Sequence, residues 1–198
     1  MSDRVVIIGS TGANLASLGF ALQRLNVEAP VTEDPERIRS AERVILPGVG
    51  AAADAMQRLH KAGLVQLIPQ LKQPLLGICL GMQLLFERSQ EDAARCLAVV
   101  PGSVERLPGG AGLPVPEMGW NQLEELADNP LLSGVGQGEY AYFVHSYAAP
   151  VSQCTIAQSS YGVQFSAAIA HENFFGTQFH PERSALVGAR ILENFLAL

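Results

Sequence analysis

The strongest constraint on the fold of this chain is a cysteine that stands between an apolar strand pattern and a helical pattern. Residues 77–81 read Gly-Ile-Cys-Leu-Gly, and a pair of leucines precedes them. A nucleophile on a sharp strand-to-helix turn is lifted clear of its sheet, and the turn leaves no room for side chains two residues before and after it. We therefore predict a strand at 75–78, a helix over 80–87, and Cys79 as a nucleophile whose thiolate the helix N-terminus favours. On this segment alone, an inert buried cysteine stays an alternative.

The rest of the chain is patterned as an α/β protein. Short apolar runs alternate with helical spacing through the first hundred residues, which is typical of a parallel sheet covered by helices. The expected strands are at residues 5–8, 27–32, 44–46, 139–146, 161–170 and 174–180. The expected helices lie over residues 15–25, from residue 34 onward, around residues 56–59, and from near residue 184 to the end. Without a linker or a repeat, residues 1–198 are predicted to form one domain.

A histidine and a glutamate follow the last apolar strand pattern. His180 and Glu182 come directly after residues 174–179, so a buried strand would deliver His180 to the edge of the sheet where α/β proteins bind their ligands. A thiolate nucleophile needs a base, and the base needs a group that orients it. Residues two apart in an extended chain point to the same side, so we expect Glu182 to hold the imidazole of His180. Taken by themselves, these two residues are also consistent with a solvated surface pair.

The turn at residues 47–50, Pro-Gly-Val-Gly, follows another apolar run. Its glycines allow backbone N–H groups to turn inward. We predict that the N–H groups of Val49, Gly50 and Leu80 form an oxyanion hole for a tetrahedral intermediate. By itself the segment is explained as well by an ordinary tight turn, so the prediction depends on its occurrence together with Cys79 and His180.

Charge and cysteine usage exclude several classes of protein. The chain has 13 basic and 19 acidic residues, a net charge of −6 and no basic run, which argues against nucleic acid as a partner. No stretch reaches the roughly 18 apolar residues of a membrane span, and the first residues lack the pattern of a signal peptide, so a cytoplasmic protein is expected. Three cysteines without metal-ligand spacing argue against a disulfide framework or a metal site. No cofactor is expected.

Five segments of the chain together resemble the class I, or triad, glutamine amidotransferase family. They are residues 46–50, 77–83, 118–121, 143–147 and 178–184, in the order in which the family has them. The resemblance covers nearly the whole chain and is greatest to the glutaminase subunits of bacterial imidazole glycerol phosphate synthase. It implies a flavodoxin-like, three-layer α/β/α domain whose central sheet is mixed but largely parallel.

The resemblance implies a role for each candidate residue. Cys79 attacks the side-chain carbonyl of glutamine, His180 moves the protons, and Glu182 holds the ring. Ammonia then crosses to a (β/α)8-barrel cyclase subunit, which makes imidazole glycerol phosphate and an aminoimidazole carboxamide ribotide. The residues implied to bind glutamine are Gly48, Gln83, His145, Ser146 and Tyr147. The residues expected to face the partner are Asn14, Trp120, Asn121 and Arg183.

Several alternatives stay open from the sequence. A structural hydrogen bond explains His145 as well as a ligand contact does, and Trp120 is also consistent with a core position. Residues 9–13 depart from the family pattern, which has an aspartate and a glycine-rich turn there. The other open functions are a glutaminase for a pyridoxal phosphate, anthranilate or guanylate synthase, a non-catalytic binding module, and a cysteine peptidase or other thiol protein on a related fold. The remaining side chains are expected to be structural (Cys96 and Cys154) or solvated (His60 and His171).

Overall fold

The computed structural model describes residues 4–10, 15–110 and 112–198. The expected interface residue Asn14 lies outside the described residues. So do residues 11–13 of the segment that differs from the family pattern. The helices are α1 (Leu15–Arg24), α2 (Pro35–Ser40), α3 (Ala52–Lys61), α4 (Leu80–Gln83) and α5 (Ala185–Ala197). The strands are β1 (Val5–Ile8), β2 (Val31–Thr32), β3 (Arg43–Gly48), β4 (Leu75–Cys79), β5 (Phe86–Ser89), β6 (Val100–Arg106), β7 (Glu117–Gln122), β8 (Tyr140–His145), β9 (Tyr147–Ala148), β10 (Thr155–Ser160), β11 (Gln164–His171) and β12 (Phe174–Thr177).

Seven of these strands form one mixed sheet in the order β10-β11-β12-β4-β3-β1-β2. The strands from β12 to β2 are parallel to one another, and β11 runs antiparallel to both of its neighbours. The central strands β1, β3 and β4 are almost entirely buried, which is why their sequences are continuous apolar runs. The predicted α/β fold with a mixed, largely parallel sheet is confirmed.

Helices cover both faces of this sheet and enclose two apolar cores. Along β1, Val5 and Ile7 belong to one core, while Val6 and Ile8 belong to the other, because successive strand residues point to opposite faces. Helices α1 and α5 complete the first core, and α2 and α3 complete the second. The expected three-layer α/β/α arrangement is therefore present.

The helix that follows Cys79 is shorter than predicted. The sequence favours a helix over 80–87, but α4 ends at Gln83 and β5 begins at Phe86. Two buried leucines turn the chain between them, and Phe86 pairs with Val100 of β6. A short apolar run fits a buried helix and a buried strand equally well, and pairing with a distant strand decides between them here. With a single helical turn, α4 favours the thiolate less than the sequence prediction assumed.

Three strands differ from the sequence prediction in extent. The second strand is only Val31–Thr32 instead of 27–32, the strand expected at 161–170 begins at Gln164, and the strand expected at 174–180 ends at Thr177. The strand that begins at Gln164 starts level with Ser160, the last residue of its partner β10.

Two smaller sheets lie beside the main one. Strands β5, β6 and β9 form one of them, and β7 and β8 form a two-stranded antiparallel ribbon. The inner side of the ribbon, with Ala141 and Phe143, packs into the first core. In the described part of the chain, no helix is both long enough and apolar enough to cross a membrane.

Candidate active site

Cys79 lies on the sharp turn that its flanking glycines predict. Its φ of 53° and ψ of −111° form a strained combination for a residue with a side chain. A Cβ on Gly77 would lie 2.7 Å from the backbone of Met82, and a Cβ on Gly81 would lie 1.7 Å from Leu46 O. Both distances are below any allowed contact, so the turn closes only with glycine at both positions.

Three neighbouring strands bring the candidate catalytic segments to one edge of the sheet. Strands β3, β4 and β12 are parallel, with Gly48 level with Cys79 and Thr177 level with Ile78. The carboxyl ends of parallel strands meet at the same edge, where α/β proteins bind ligands. The 47–50 turn, Cys79 and His180 converge there for this reason.

His180 and Glu182 interact directly, but not across an extended chain. His180 Nδ1 lies 2.9 Å from Glu182 Oε1, which leaves Nε2 as the ring nitrogen for Cys79. Residues Pro181–Arg183 form a 3-10 helix, so the expectation of an extended segment is wrong. Proline at the first helical position fixes φ for a tight turn, and that turn folds the carboxylate back onto the ring.

The imidazole of His180 is held in its charged form. Burial by itself lowers the pKa of His180, but the side-chain hydrogen bonds to Cys79 and Glu182, together with the charges of these partners, raise this pKa from 6.5 to about 10. At neutral pH an imidazolium therefore stands beside Cys79. A positive neighbour favours the thiolate, which is the nucleophilic form of cysteine.

Ser184 and Tyr142 fix the turn that carries His180. The buried Ser184 Oγ donates to His180 O at 2.7 Å and accepts from the Tyr142 N–H at 2.9 Å. Tyr142 O in turn accepts from the His180 N–H at 2.9 Å. The backbone of His180 is thus bonded to strand β8 of the ribbon.

The candidate catalytic side chains open onto one pocket of about 350 Å³, a size that suits a small molecule. Cys79, His180 and Glu182 line it. The other predicted residues on its wall are Gly48, Val49, Gly50, Leu80, Gln83, His145, Ser146, Tyr147 and Arg183. Among the described residues, no three His, Cys, Asp or Glu side chains are grouped so as to hold a metal ion.

Glu91 also lies on the wall of this pocket, although no sequence motif pointed to it. Its Oε2 accepts from the Ala52 N–H at 2.8 Å, at the start of α3, where the N-cap residue Ala51 provides no side-chain acceptor. Burial raises the pKa of Glu91, the hydrogen bond from Ala52 lowers it, and the charge of Asp92 raises it, with a net shift upward. This contact spans 39 residues of sequence, which explains why local patterns miss it.

The amide group of Gln83 is buried and anchored within the chain. Its Nε2 donates to Tyr147 O at 2.7 Å and to Gln178 Oε1 at 2.9 Å. Both N–H bonds are used in this way, so a ligand that contacts the Gln83 side chain meets its carbonyl oxygen. The sequence interpretation did not single out Gln178, whose Nε2 lies 3.7 Å from Cys79 Sγ.

The ring of His145 is engaged by protein partners. Nδ1 lies 2.9 Å from Tyr147 O, and Nε2 lies 2.9 Å from Glu117 Oε2, with both side chains almost fully buried. Asn121 Nδ2 donates to Glu117 Oε1 at 2.7 Å and to Ser160 O at 3.0 Å. His145 therefore supports the pocket wall at Tyr147, and the Nδ2 group of the partly exposed Asn121 is bonded within the chain.

The other two cysteines lack the surroundings of a nucleophile. Burial, with the charge of Glu91, raises the pKa of Cys96 to about 11, and burial raises the pKa of Cys154. These shifts agree with the predicted structural roles. Cys154 Sγ lies 3.6 Å from His171 Nδ1, so the expectation that His171 is simply solvated is wrong. The cause is the pairing of β10 with β11, which brings the two residues together across 17 positions.

Trp120 and Arg183 lie on an exposed aromatic face beside the pocket. The rings of Trp120 and Tyr142 meet edge to face at 5.8 Å, and the Arg183 guanidinium carbon lies 5.2 Å from the centre of the Tyr142 ring. Met118 and Tyr140 are more than half exposed and share this side of the ribbon, because side chains alternate along both strands. We call Met118, Trp120, Tyr140, Tyr142 and Arg183 the ribbon face.

Comparison with known proteins adds to this geometry. The family model described as glutamine amidotransferase class-I matches residues 9–198. An imidazole glycerol phosphate synthase subunit HisH of Xanthomonas campestris pv. campestris (strain 8004) is 52% identical over 198 residues, covering 100% of this chain and 98% of that protein. The subunit HisH 1 of the same synthase in Vibrio vulnificus (strain YJ016) is 46% identical over 205 residues and is covered fully, as is this chain. A crystal structure of a glutamine amidotransferase superimposes with a TM-score of 0.76 over 98% of this chain and 97% of that chain, at 19% identity, which compares the folds alone.

Proposed function

Because the chain belongs to the class-I glutamine amidotransferase family, we propose that it is the glutaminase subunit of an imidazole glycerol phosphate synthase. The observation that carries this proposal is the grouping of Cys79, His180 and Glu182 in one pocket. Identities of 46% and 52% over the whole chain to subunits of that synthase favour it over a pyridoxal phosphate, anthranilate or guanylate synthase. The intact triad argues against a non-catalytic module, and the family match over residues 9–198 supports a single domain.

The proposed reaction is acyl transfer to sulfur followed by hydrolysis. The Cys79 thiolate attacks the side-chain carbonyl of glutamine, and a tetrahedral oxyanion forms. The His180 imidazolium gives its proton to the amide nitrogen, which leaves as ammonia, while a glutamyl thioester stays on Cys79. The neutral imidazole then takes a proton from water, which attacks the thioester and releases glutamate. Glu182 holds Nδ1 throughout, so Nε2 keeps facing the sulfur.

The oxyanion of this reaction needs donors, and we assign this role to the backbone N–H groups of Val49, Gly50 and Leu80. Gly50 has a φ of +94°, a conformation that glycine adopts without steric cost, and we expect the peptide before it to reorient at low cost for the same reason. Loss of one oxyanion donor typically lowers the rate by about 10²–10³. Rotation of this peptide is therefore sufficient to keep the enzyme near rest until a partner docks.

Free glutamine also carries an ammonium and a carboxylate group that the pocket must accommodate. Glu91 is the carboxylate on the pocket wall that the triad does not use, so we expect it to pair with the ammonium group. The Gln83 carbonyl oxygen is placed to accept from an N–H of the substrate. Gly48, Ser146 and Tyr147 lie on the same wall, and we expect their backbone groups to contact the substrate.

We place the partner on the ribbon face. The relatives are named as subunits of a synthase, and the partner we propose is a (β/α)8-barrel cyclase that receives ammonia directly. Aromatic residues, methionine and arginine are enriched in protein interfaces, and the ribbon face consists of them. Direct transfer is chemically useful because free ammonia is mostly protonated at neutral pH and then no longer nucleophilic. Tyr142 also links this face to the His180 backbone.

Two synthetic activities of the complex test this division of labour. Cys79→Ala is expected to abolish glutamine-dependent synthesis by the complex with the cyclase, while synthesis from saturating ammonium at alkaline pH continues. Equal loss of both activities would contradict the proposal. So would a wild-type chain that releases no glutamate from glutamine in the presence of the cyclase and its ribonucleotide substrate.

A matched pair of surface variants tests the docking face. Trp120→Ala removes a half-exposed ring of the ribbon face and is expected to weaken the stimulation of glutamate release by the cyclase. Val31→Ala removes an exposed apolar side chain from β2, the strand at one edge of the main sheet, and is expected to leave the stimulation unchanged. Equal stimulation curves for the two variants, as a function of cyclase concentration, would exclude Trp120 from the interface.

A further inference from the structure

Gln178 touches the sulfur of the nucleophile and has no place in the triad. Its side chain is fully buried, and its Nε2 lies 3.7 Å from Cys79 Sγ. Its backbone is fixed between β12 and His180 by the hydrogen bond that its N–H donates to Ala167 O at 2.8 Å. We propose that Gln178 is a positioning residue that donates a hydrogen bond to the Cys79 sulfur and ties the sulfur to the glutamine-holding Gln83. The part that concerns Gln83 rests on the glutaminase function proposed above.

The orientation of the Gln178 amide follows from the chain of hydrogen bonds around it. Tyr147 O is a backbone carbonyl and can only accept, so the group of Gln83 that lies 2.7 Å away must be its NH₂. The second hydrogen of this NH₂ points to Gln178, 2.9 Å away, which makes the Gln178 atom there its carbonyl oxygen. The NH₂ of Gln178 then faces Cys79 Sγ. The carbonyl of Tyr147 thus determines that the sulfur meets a donor and not an acceptor.

A donor at this position acts on the sulfur in two ways. An N–H group favours the thiolate over the thiol, because hydrogen bonds to a charged acceptor are stronger than those to a neutral one. It also helps to fix the direction of the Cys79 side chain, because the contact of the sulfur with Val144 O at 3.7 Å is one that only a thiol S–H can make. The hydrogen bond from Gln178 Nε2 to the sulfur therefore persists when Cys79 loses its proton, whereas the bond from the sulfur to Val144 O is lost.

The same side chain also aligns the substrate. Gln178 Oε1 accepts one of the two hydrogens of the Gln83 NH₂, and Tyr147 O accepts the other, so the Gln83 carbonyl oxygen is the atom directed to a ligand. Gln178 thereby connects the nucleophile, on the strand-to-helix turn, with the group that accepts from glutamine. These contacts link residues that are 95 and 99 positions apart in the sequence.

Other groups that act on the charge of the sulfur must stay constant in a test. The titratable and charged side chains that line the pocket with Cys79 are Glu91, His145, Tyr147, His180, Glu182 and Arg183. A substitution at Gln178 changes none of them. Gln178→Glu keeps the size and the oxygen that accepts from Gln83, but it replaces the donor at the sulfur by an acceptor and adds a negative charge, so Gln178→Met is the variant that removes the donor without a new charge. Gln178→Met keeps the length and removes both the donor and the acceptor.

Thr177→Val is the matched structural control. Thr177 is equally buried and adjacent in sequence, and its Oγ1 donates to Phe179 O at 3.1 Å without touching the sulfur. The variant loses one buried hydrogen bond, whereas Gln178→Met loses the bond to the sulfur and the bond from Gln83. A role limited to filling the core with a satisfied polar group would make Thr177→Val and Gln178→Met behave alike.

The test measures alkylation of Cys79 by iodoacetamide as a function of pH in the full chain, with peptide mapping to separate it from Cys96 and Cys154. For Gln178→Met we expect about tenfold slower labelling at neutral pH and a midpoint displaced to higher pH by about one unit, the size of a charge-assisted hydrogen bond of modest strength. Gln178→Glu should displace the midpoint at least as far, because its negative charge also disfavours the thiolate. Thr177→Val should keep the wild-type midpoint. A wild-type midpoint in the Gln178 variants would overturn the proposal.

Kinetics and a wild-type measurement complete the test. Gln178→Glu should lower kcat with little change in KM, whereas Gln178→Met should also raise KM for glutamine, because only the latter releases Gln83. If neither variant folds, the side-chain amide protons of Gln178 in the wild-type chain are followed by NMR. One of them should move downfield as the sulfur loses its proton, and an unchanged signal would overturn the proposal. A wild-type chain that does not hydrolyse glutamine would refute the proposed function, while the alkylation profile would still decide the contact between Gln178 and Cys79.

Discussion

Substitution of Glu91 by glutamine distinguishes two roles of this side chain, pairing with the ammonium group of the substrate and capping the start of α3. The wild-type carboxylate lies on the pocket wall and also accepts from the Ala52 N–H at 2.8 Å. A glutamine side chain retains an oxygen for that N–H but loses the negative charge. If Glu91 pairs with the ammonium group of glutamine, Glu91→Gln raises KM and leaves kcat nearly unchanged, because the contact is the same in the ground state and in the transition state.

The size of this effect follows from the exposure of Glu91. A hydrogen bond to a charged group is typically worth about 1.5–3 kcal/mol, which corresponds to about 10–100-fold in affinity. Glu91 is half-buried, so solvent screens the pair, and we expect the lower end, about tenfold in KM. Stability should not fall. The raised pKa of Glu91 means that its ionised form destabilises the fold above that pKa, and the variant removes this charge.

Asp92 provides the matched control and a test by pH. Asp92 is exposed and has a φ of 54° and a ψ of 20°, a left-handed conformation that asparagine adopts readily, so Asp92→Asn removes a neighbouring charge without backbone strain. Wild-type KM should rise as pH falls through the raised pKa of Glu91, because the protonated acid cannot pair with ammonium. Asp92→Asn should move this rise to lower pH, since the Asp92 charge is one cause of the raised pKa.

Steady-state glutaminase kinetics of the complex as a function of pH, together with thermal melting of each variant, decide the question. A wild-type KM in Glu91→Gln would refute the ammonium pairing. A lower melting temperature combined with equal losses in kcat would indicate that Glu91 only caps α3.

Two further predictions concern the triad and the turn. Glu182→Gln should lower kcat by about 10²–10⁴, since the orienting carboxylate is lost, and should move the alkaline decline of kcat to lower pH, because Glu182 helps to raise the pKa of His180 to about 10. If kcat of Glu182→Gln declined at the same alkaline pH as that of the wild type, Glu182 would not be a cause of the raised pKa of His180. Gly81→Ala should prevent stable folding, because its Cβ would stand 1.7 Å from Leu46 O, whereas Gly19→Ala, with no atom within 4 Å, should stabilise α1 by roughly 0.5–1 kcal/mol. Denaturant unfolding measures both variants, and a normally folded Gly81→Ala protein would refute the packing argument.

The layered fold and the triad were predictable because their signals are local. A buried parallel strand is recognisable as a continuous apolar run, and Val5–Ile8 and Leu75–Cys79 both show one. The cysteine is marked by the two glycines that its turn requires, and the histidine and glutamate stand two residues apart. Each of these patterns spans a few residues, so neither the distant chain nor the register of the sheet is needed to find it.

Local signals were insufficient where two conformations satisfy the same pattern. The run after Cys79 fits a helix to residue 87, and pairing with β6 turns its end into β5. The His180–Glu182 contact was expected from an extended chain, and a 3-10 turn produces it instead. Pairing with a distant strand decided the backbone geometry in the first case, and the tight turn that Pro181 favours decided it in the second.

The sequence by itself therefore marked Cys79, His180 and Glu182 as the candidate nucleophile, base and orienting carboxylate, and it determined the kind of sheet that brings them together. Only the tertiary structure placed Glu91 on the pocket wall, set Gln178 against the sulfur and paired His145 with Glu117. These contacts join residues separated by 39, 99 and 28 positions. Carboxylates and amides occur throughout any chain, and they gain a function only where strand order and packing bring one of them within hydrogen-bond reach of a reacting group. That proximity is a property of the assembled sheet, and no short segment of the sequence predicts it.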